Sequence, residues 1–207
     1  MHARVLRIKG SPDKVDEGAE SFKARAVPAV KELDGYAGIR LFVNRASGDG
    51  MIVSFWRDEQ TLRASDEALR GVRSESSAQF GTEIPRSEHF EAAVQHRPKP
   101  TEKGNWVRVT TLSGDPAKLE EGIRHFESEV VPAVERLPGF RAAVLLVDRD
   151  AGGAVAATVW DSKDELESSA EGATSIRATA AQVMGAKNPN VEIYEVEFAE
   201  LPAATAN

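Results

Sequence analysis

The sequence predicts an α+β fold built from two βαββαβ units in tandem, and three observations carry that expectation. The first is an internal repeat, which is sought before anything else because it decides the architecture. A shift of 104 residues lays Val27-Pro28-Ala29-Val30 on Val131-Pro132-Ala133-Val134, Gly35 on Gly139, Trp56 on Trp160, and Gly81-x-x-x-Pro85 on Gly185-x-x-x-Pro189. About 27 of roughly 95 aligned positions are identical, where chance gives about six. The second is the order of hydrophobic periods within each copy: strand, helix, two strands, helix, strand. The third is the punctuation between the copies, where 96–105 is polar and holds Pro98 and Pro100, as a connecting segment should. The expected layout is therefore a first unit over 1–95, a linker over 96–105, a second unit over 106–200 and a tail over 201–207.

Each element follows from local chemistry. The first strand is expected at 2–8 and again at 106–112, closed by Gly10-Ser11-Pro12 and Gly114-Asp115-Pro116. Ser or Asp before Pro is an N-cap with proline at the first helical position. Val15, Ala19, Phe22 and Ala26 then recur at helical spacing, as do Leu119, Ile123, Phe126 and Val130. Pro28 and Pro132 fall inside that pattern and should kink or restart the helix, and Gly35 and Gly139 should end it. Apolar strands at 39–44 and 51–56 flank a Gly- and Asp-rich turn, and so do 143–148 and 155–160. Asn44 and Asp148 are placed to cap those turns. A second helix is expected over 58–80 and 162–184, with acidic residues in its first turn, and a last strand over 86–93 and 191–198.

Composition excludes several classes of function. With 26 basic and 33 acidic residues the formal charge is -7, which leaves no basic stripe for nucleic acid and disfavours an anionic membrane. The chain has no cysteine, so thiolate chemistry, disulfides and cysteine-ligated metal are absent. No apolar run approaches a membrane span, and Met1 to Val5 opens no signal peptide, so a cytoplasmic location is expected.

The split βαβ order leaves one face of each sheet bare. Two copies in one chain can cover those faces mutually, as an intramolecular dimeric α+β barrel of ferredoxin-like units. The string V-x-P-A-x-x-x-L-x-G-[FY], a short hairpin, and a strand ending in Trp before an acidic helix resembles the antibiotic biosynthesis monooxygenase-like group of dimeric α+β barrels. Here it reads Val27 to Tyr36 with Trp56, and Val131 to Phe140 with Trp160. The resemblance implies a cofactor-independent monooxygenase acting on an aromatic or polyketide-like substrate. The alternative is a non-catalytic small-molecule-binding or stress-related protein on the same barrel. Either way the expected partner is a small apolar or aromatic molecule, with no cofactor, no nucleic acid and no membrane. A further homodimer is left open. The haem-degrading branch fits worst, because the positions of its second Trp and its His hold Ser65 and Glu75 here, and Ser169 and Thr179 in the second copy.

Candidate binding residues come from strand alternation. Ile39, Leu41 and Val43 with Met51, Val53 and Phe55 are assigned to the helix-covered face. Arg40, Phe42, Ile52, Ser54 and Trp56 then line the barrel, as do Val144, Leu146, Ala156, Thr158 and Trp160. The ligand-binding candidates are Arg40, Phe42, Trp56, Val144, Ala156, Thr158 and Trp160. Trp56 and Trp160 are read first as plugs of the strand–helix junction and second as cleft walls, and Arg40 serves equally as a rim cation. The smaller residues Val144 and Ala156 place one cavity chiefly against the second copy. Arg4 and Arg108 are expected to pair with glutamates of the last strand, Glu88 and Glu91 or Glu192 and Glu195. His89, which aligns with Ile193, is read as a tolerated polar substitution rather than a base. No catalytic residue is assigned.

Overall fold

The structure is a computed structural model that describes residues 1–80, 87–186 and 189–201; the expectations at Pro85 and Arg86, and the tail beyond Leu201, lie outside those residues. The elements alternate as the repeat requires. The first copy carries β1 (His2–Ile8), α1 (Val15–Ser21), α2 (Val27–Lys31), β2 (Tyr36–Val43), β3 (Gly50–Trp56), α3 (Glu59–Ala68), α4 (Arg70–Phe80) and β4 (Glu88–His96). The second carries β5 (Trp106–Ser113), α5 (Leu119–His125), α6 (Val131–Glu135), β6 (Phe140–Asp148), β7 (Gly153–Trp160), α7 (Lys163–Ser168), α8 (Ala170–Val183) and β8 (Asn190–Glu200). The α+β class and the two ferredoxin-like repeats expected from the sequence are what is found.

The compact units do not follow the repeat boundary. One comprises Met1–His89 with Glu195–Asn207, the other Phe90–Tyr194. In the first, β3 lies between β1 and β2, and β2 pairs antiparallel with the end of β8, Leu41 opposite Phe198 and Val43 opposite Glu195. In the second, β7 lies between β5 and β6, and β6 pairs antiparallel with β4, Leu146 opposite Ala92 and Ala143 opposite His96. Each β2-type strand thus takes its outer neighbour from the other repeat. The span expected as linker is fastened in the second unit: β4 runs through His96, Lys99 N–H donates to Arg141 O, and Arg141 Nε donates to Pro100 O at 2.7 Å.

Proline shapes the first helix of each copy. A five-residue π-helical segment, Phe22–Ala26 or Phe126–Val130, precedes Pro28 or Pro132. Val27 N–H reaches back five residues to Phe22 O, and Val131 N–H to Phe126 O. The wider turn accommodates a ring that clashes with an α-helical carbonyl four residues earlier. The helix stops at Lys31 and Glu135, before the glycines expected to cap it. Gly35 and Gly139 instead turn the chain into β2 and β6 at φ 75°, with Thr61 and Glu165 packed where a Cβ would project. Of the expected proline-preceding caps, Asp115 accepts from Ala117 N–H at 2.9 Å, whereas the Ser11 hydroxyl turns to Asp13. The turn caps form as expected: Asn44 Oδ1 accepts from Ala46 and Ser47, and Asp148 Oδ1 from Asp150 and Ala151.

The second helix of each copy is broken, at Leu69 and at Ser169. Asp58 caps α3 by accepting from Thr61 N–H at 2.8 Å, and Ser162 caps α7 by accepting from Glu165 N–H at 3.2 Å. Leu62 and Leu166, one turn in, are fully buried anchors against the sheet.

Candidate functional site

Register settles which strand residues face the helices. Residues directly opposite in an antiparallel pair share a face. Ile39 lies opposite Ser54, Leu41 opposite Ile52, and Val43 opposite Gly50. Ile52, Ser54 and Trp56 therefore accompany Ile39, Leu41 and Val43 on the helix side, while Met51, Val53 and Phe55 accompany Arg40 and Phe42 on the other. This corrects the assignment of the β3 residues. The expectation relied on apolarity marking one face, but Met51, Val53 and Phe55 are buried and so are Ser54 and Trp56. With both faces buried, alternation carries no contrast. The second copy repeats the pattern, with Ala143 opposite Thr158 and Leu145 opposite Ala156 on one face, and Val144 opposite Ala157 on the other.

The residues proposed to line one barrel surface are thus divided. Arg40, Phe42 and Val144 point away from the helices, and all three are buried. Arg40 lies with its Cζ 5.2 Å from the Phe55 ring centroid and is no rim cation. Trp56, Ala156, Thr158 and Trp160 are on the helix side. Both tryptophans are wholly buried in the cores. Trp56 Nε1 donates to Ser54 Oγ and Trp160 Nε1 to Thr158 Oγ1, each at 3.1 Å, and Tyr36 or Phe140 packs edge-on against the ring.

Each unit has a cavity between its sheet and its helices. The larger, about 170 Å³, lies in the first unit and is walled by Leu6, Ala19, Phe22, Leu41, Ile52 and Leu69 among others. The second unit's is about 50 Å³, walled by Leu112, Phe126, Ala156, Thr158 and Met184 among others. The expected bias toward the second copy is therefore reversed. Ile52 and Ala156 do line corresponding walls, but the helices decide the volume. Ala19 and Ala26 line the larger cavity, where the second copy has Ile123 and Val130. Met184 also packs so closely over Gly122 that no side chain fits at that position.

A polar cluster closes the inner end of the larger cavity. Arg4 is 2% exposed and lines it, with Arg73 and Ser54. Arg4 Nη2 donates to Leu62 O at 2.8 Å and to Ser65 Oγ at 2.5 Å, and its Nε lies 3.0 Å from Asp66 Oδ1. Asp66 also meets Arg73 Nη1 at 3.1 Å and His89 Nε2 at 2.9 Å. Burial pushes the Arg4 guanidinium down to about 10, with Asp66 opposing and Arg73 adding to the shift. Burial likewise holds the His89 imidazolium below its usual value, against the pull of Asp66. The expected pairing of Arg4 with the glutamates of the last strand is not what forms. Arg7 takes Glu88 at 3.2 Å, and Glu91 and Glu195 go to the hairpin arginines Arg149 and Arg45. Arg73, missed from sequence, had a signal: Arg73 and Arg177 are among the charged residues identical in both copies, and the neutral Ser65 and Ser169 are identical too.

Comparison with known proteins agrees with this geometry. Residues 1–96 match the family model described as antibiotic biosynthesis monooxygenase. An uncharacterized protein of Mycobacterium tuberculosis strain H37Rv is 31% identical over 198 residues, covering 96% of this chain and 86% of that protein. The chain belongs to the antibiotic biosynthesis monooxygenase family. Among solved structures of the same fold, an anthrone oxidase-like protein covers 100% of this chain and 97% of its own, at 18% identity and TM-score 0.68. A haem-degrading enzyme of Listeria monocytogenes covers 94% of this chain and 99% of its own, at 8% identity and TM-score 0.55. Those likenesses show that the same fold extends over both repeats. No helix among the described residues is long and apolar enough to cross a membrane.

Proposed function

We propose that this member of the monooxygenase family binds a small ring-bearing molecule in the first-unit cavity, with a phenol- or enol-type oxygen turned toward Arg4. The carrying observation is an apolar cavity of about 170 Å³ that ends on a buried guanidinium. An apolar protein cavity of ~150 Å³ holds benzene, so one aromatic ring is the right scale. The exposed Ser11 and Lys14, which also line it, mark the end nearer solvent. Arg4 would favour the deprotonated substrate, because a cation in a poorly solvated wall strengthens every interaction with developing negative charge. In the oxygenase reading, such an anion reacts with O2: two hydrogens leave a ring carbon, one oxygen atom enters it as a carbonyl, and the other leaves as water.

A non-catalytic binder on the same cavity is supported by a different observation. The described lining residues include no histidine, and their one carboxylate, Asp49, is paired with Lys9 at 2.8 Å. No base stands ready to remove the substrate's proton. Calorimetric titration with phenol tests occupancy, and an oxygen electrode with the same single-ring phenol as substrate separates the readings. Ala19→Ile with Ala26→Val imports the second copy's residues and should weaken phenol binding at least tenfold while the fold persists. Undiminished binding in that variant would place the ligand elsewhere. Binding without oxygen consumption favours the binder.

A further inference from the structure

The two cavities share their arginines but not their acid. Arg4 and Arg73 correspond to Arg108 and Arg177, while Asp66 is replaced by Ala170 and His89 by Ile193. Arg108, 4% exposed, donates to neutral groups: Nη1 to Ser169 Oγ at 3.0 Å and Nη2 to Leu166 O at 2.6 Å. Arg177 Nη2 donates to Thr174 Oγ1 at 2.9 Å, and its buried Nη1 has no hydrogen-bond partner. Both arginines line the second-unit cavity, and no carboxylate is among its described lining residues. Burial lowers both guanidinium pKa values, Arg108 to about 10, and there Arg177 adds to the shift. Two like charges facing one poorly solvated space are costly unless a counter-charge is supplied.

We infer that the second-unit cavity is a binding site for a small organic monoanion, a carboxylate held between Arg108 and Arg177. A planar carboxylate matches the guanidinium fork better than a spherical ion does. Thr110 and Thr158 add hydroxyls to the wall, and about 50 Å³ admits a carboxylate with a methyl-sized substituent rather than a ring. The inference concerns a different cavity from the proposed ring site and does not depend on it.

The test is calorimetric titration of the full-length protein with acetate and with neutral acetamide at constant ionic strength. Wild type should take up one acetate and no acetamide. Ala170→Asp restores the acid of the first copy at an exposed position; it should weaken acetate binding at least tenfold and raise the melting temperature. Arg177→Met should weaken acetate equally without that rise. Absence of saturable binding at millimolar acetate, equal uptake of acetamide, or unchanged acetate affinity in both variants would overturn the assignment.

Discussion

Asp66 is the residue on which the difference between the two repeats turns. Its carboxylate meets Arg4, Arg73 and His89, so one acid holds two guanidiniums and an imidazole at the end of the larger cavity. His89 is more than a tolerated substitution there. Its imidazolium is held below the usual value by burial first, with Arg4 and Arg63 adding and Asp66 opposing. The sign of the linkage follows. A histidine kept neutral in the folded protein contributes stability above its unfolded value, about 6.5, and that contribution is lost as pH falls through the lower folded value. His89→Ile, the second copy's residue at this position, should therefore flatten the fall in melting temperature between neutral and mildly acidic pH. An unchanged slope would assign the acid sensitivity to other groups.

At the scale of elements, the last strands are latched to their sheets by ion pairs that differ between the units. In the first, Glu197 of β8 is 2% exposed and meets Lys23 at 2.9 Å and Arg45 at 2.7 Å. The corresponding residue of β4 is Ala93, and Glu127 stands where Lys23 would be. The outer latch places its acid on the opposite side: Lys31 meets Glu200 of the strand at 2.9 Å, whereas the helix residue Glu135 meets His96 of the strand at 3.0 Å. Each strand thus carries charges suited to one sheet and not the other, which specifies the exchange. Glu197→Ala removes the most buried member, while Lys23 keeps Glu20 and Arg45 keeps Asp16 and Glu195. A loss of about 2–3 kcal/mol is expected, below the cost for a fully buried pair because Lys23 and Arg45 keep some solvent. Urea unfolding should show it as a lower midpoint with unchanged slope. A shift near zero would mean that the strand is held by its backbone ladder alone.

For the molecule as a whole, strand exchange makes neither repeat self-sufficient. A fragment ending near Pro100 keeps β2 without β8 and carries β4 without β6, leaving unpaired strand edges that invite aggregation. Residues 1–100 expressed alone should be aggregated or oligomeric, and co-expression with 101–207 should give a one-to-one complex by light scattering. A folded monomeric fragment would contradict this.

What was legible in the sequence is what local chemistry and duplication dictate. The βαββαβ order, β1 at its observed bounds, the Asn44 and Asp148 turn caps and the disturbance before Pro28 and Pro132 all follow from short-range sterics and hydrogen bonding. The candidate site was far less legible. Of the residues singled out, Ala156 and Thr158 line a cavity, the smaller one, and Arg40, Phe42 and Val144 face away from the helices. Strand alternation separates two faces but does not say which one a helix covers when both are buried, and only the register of Leu41 with Ile52 decides that. The cavity's place was set by Ala19 and Ala26 on helices that the strand comparison treated as ordinary compensation. The outer neighbours of β2 and β6 lie more than forty residues away, in the wrong copy. No local propensity encodes such a pairing, because its partners meet only in the tertiary fold, where Glu197, Glu200 and Glu135 take their ion-pair partners.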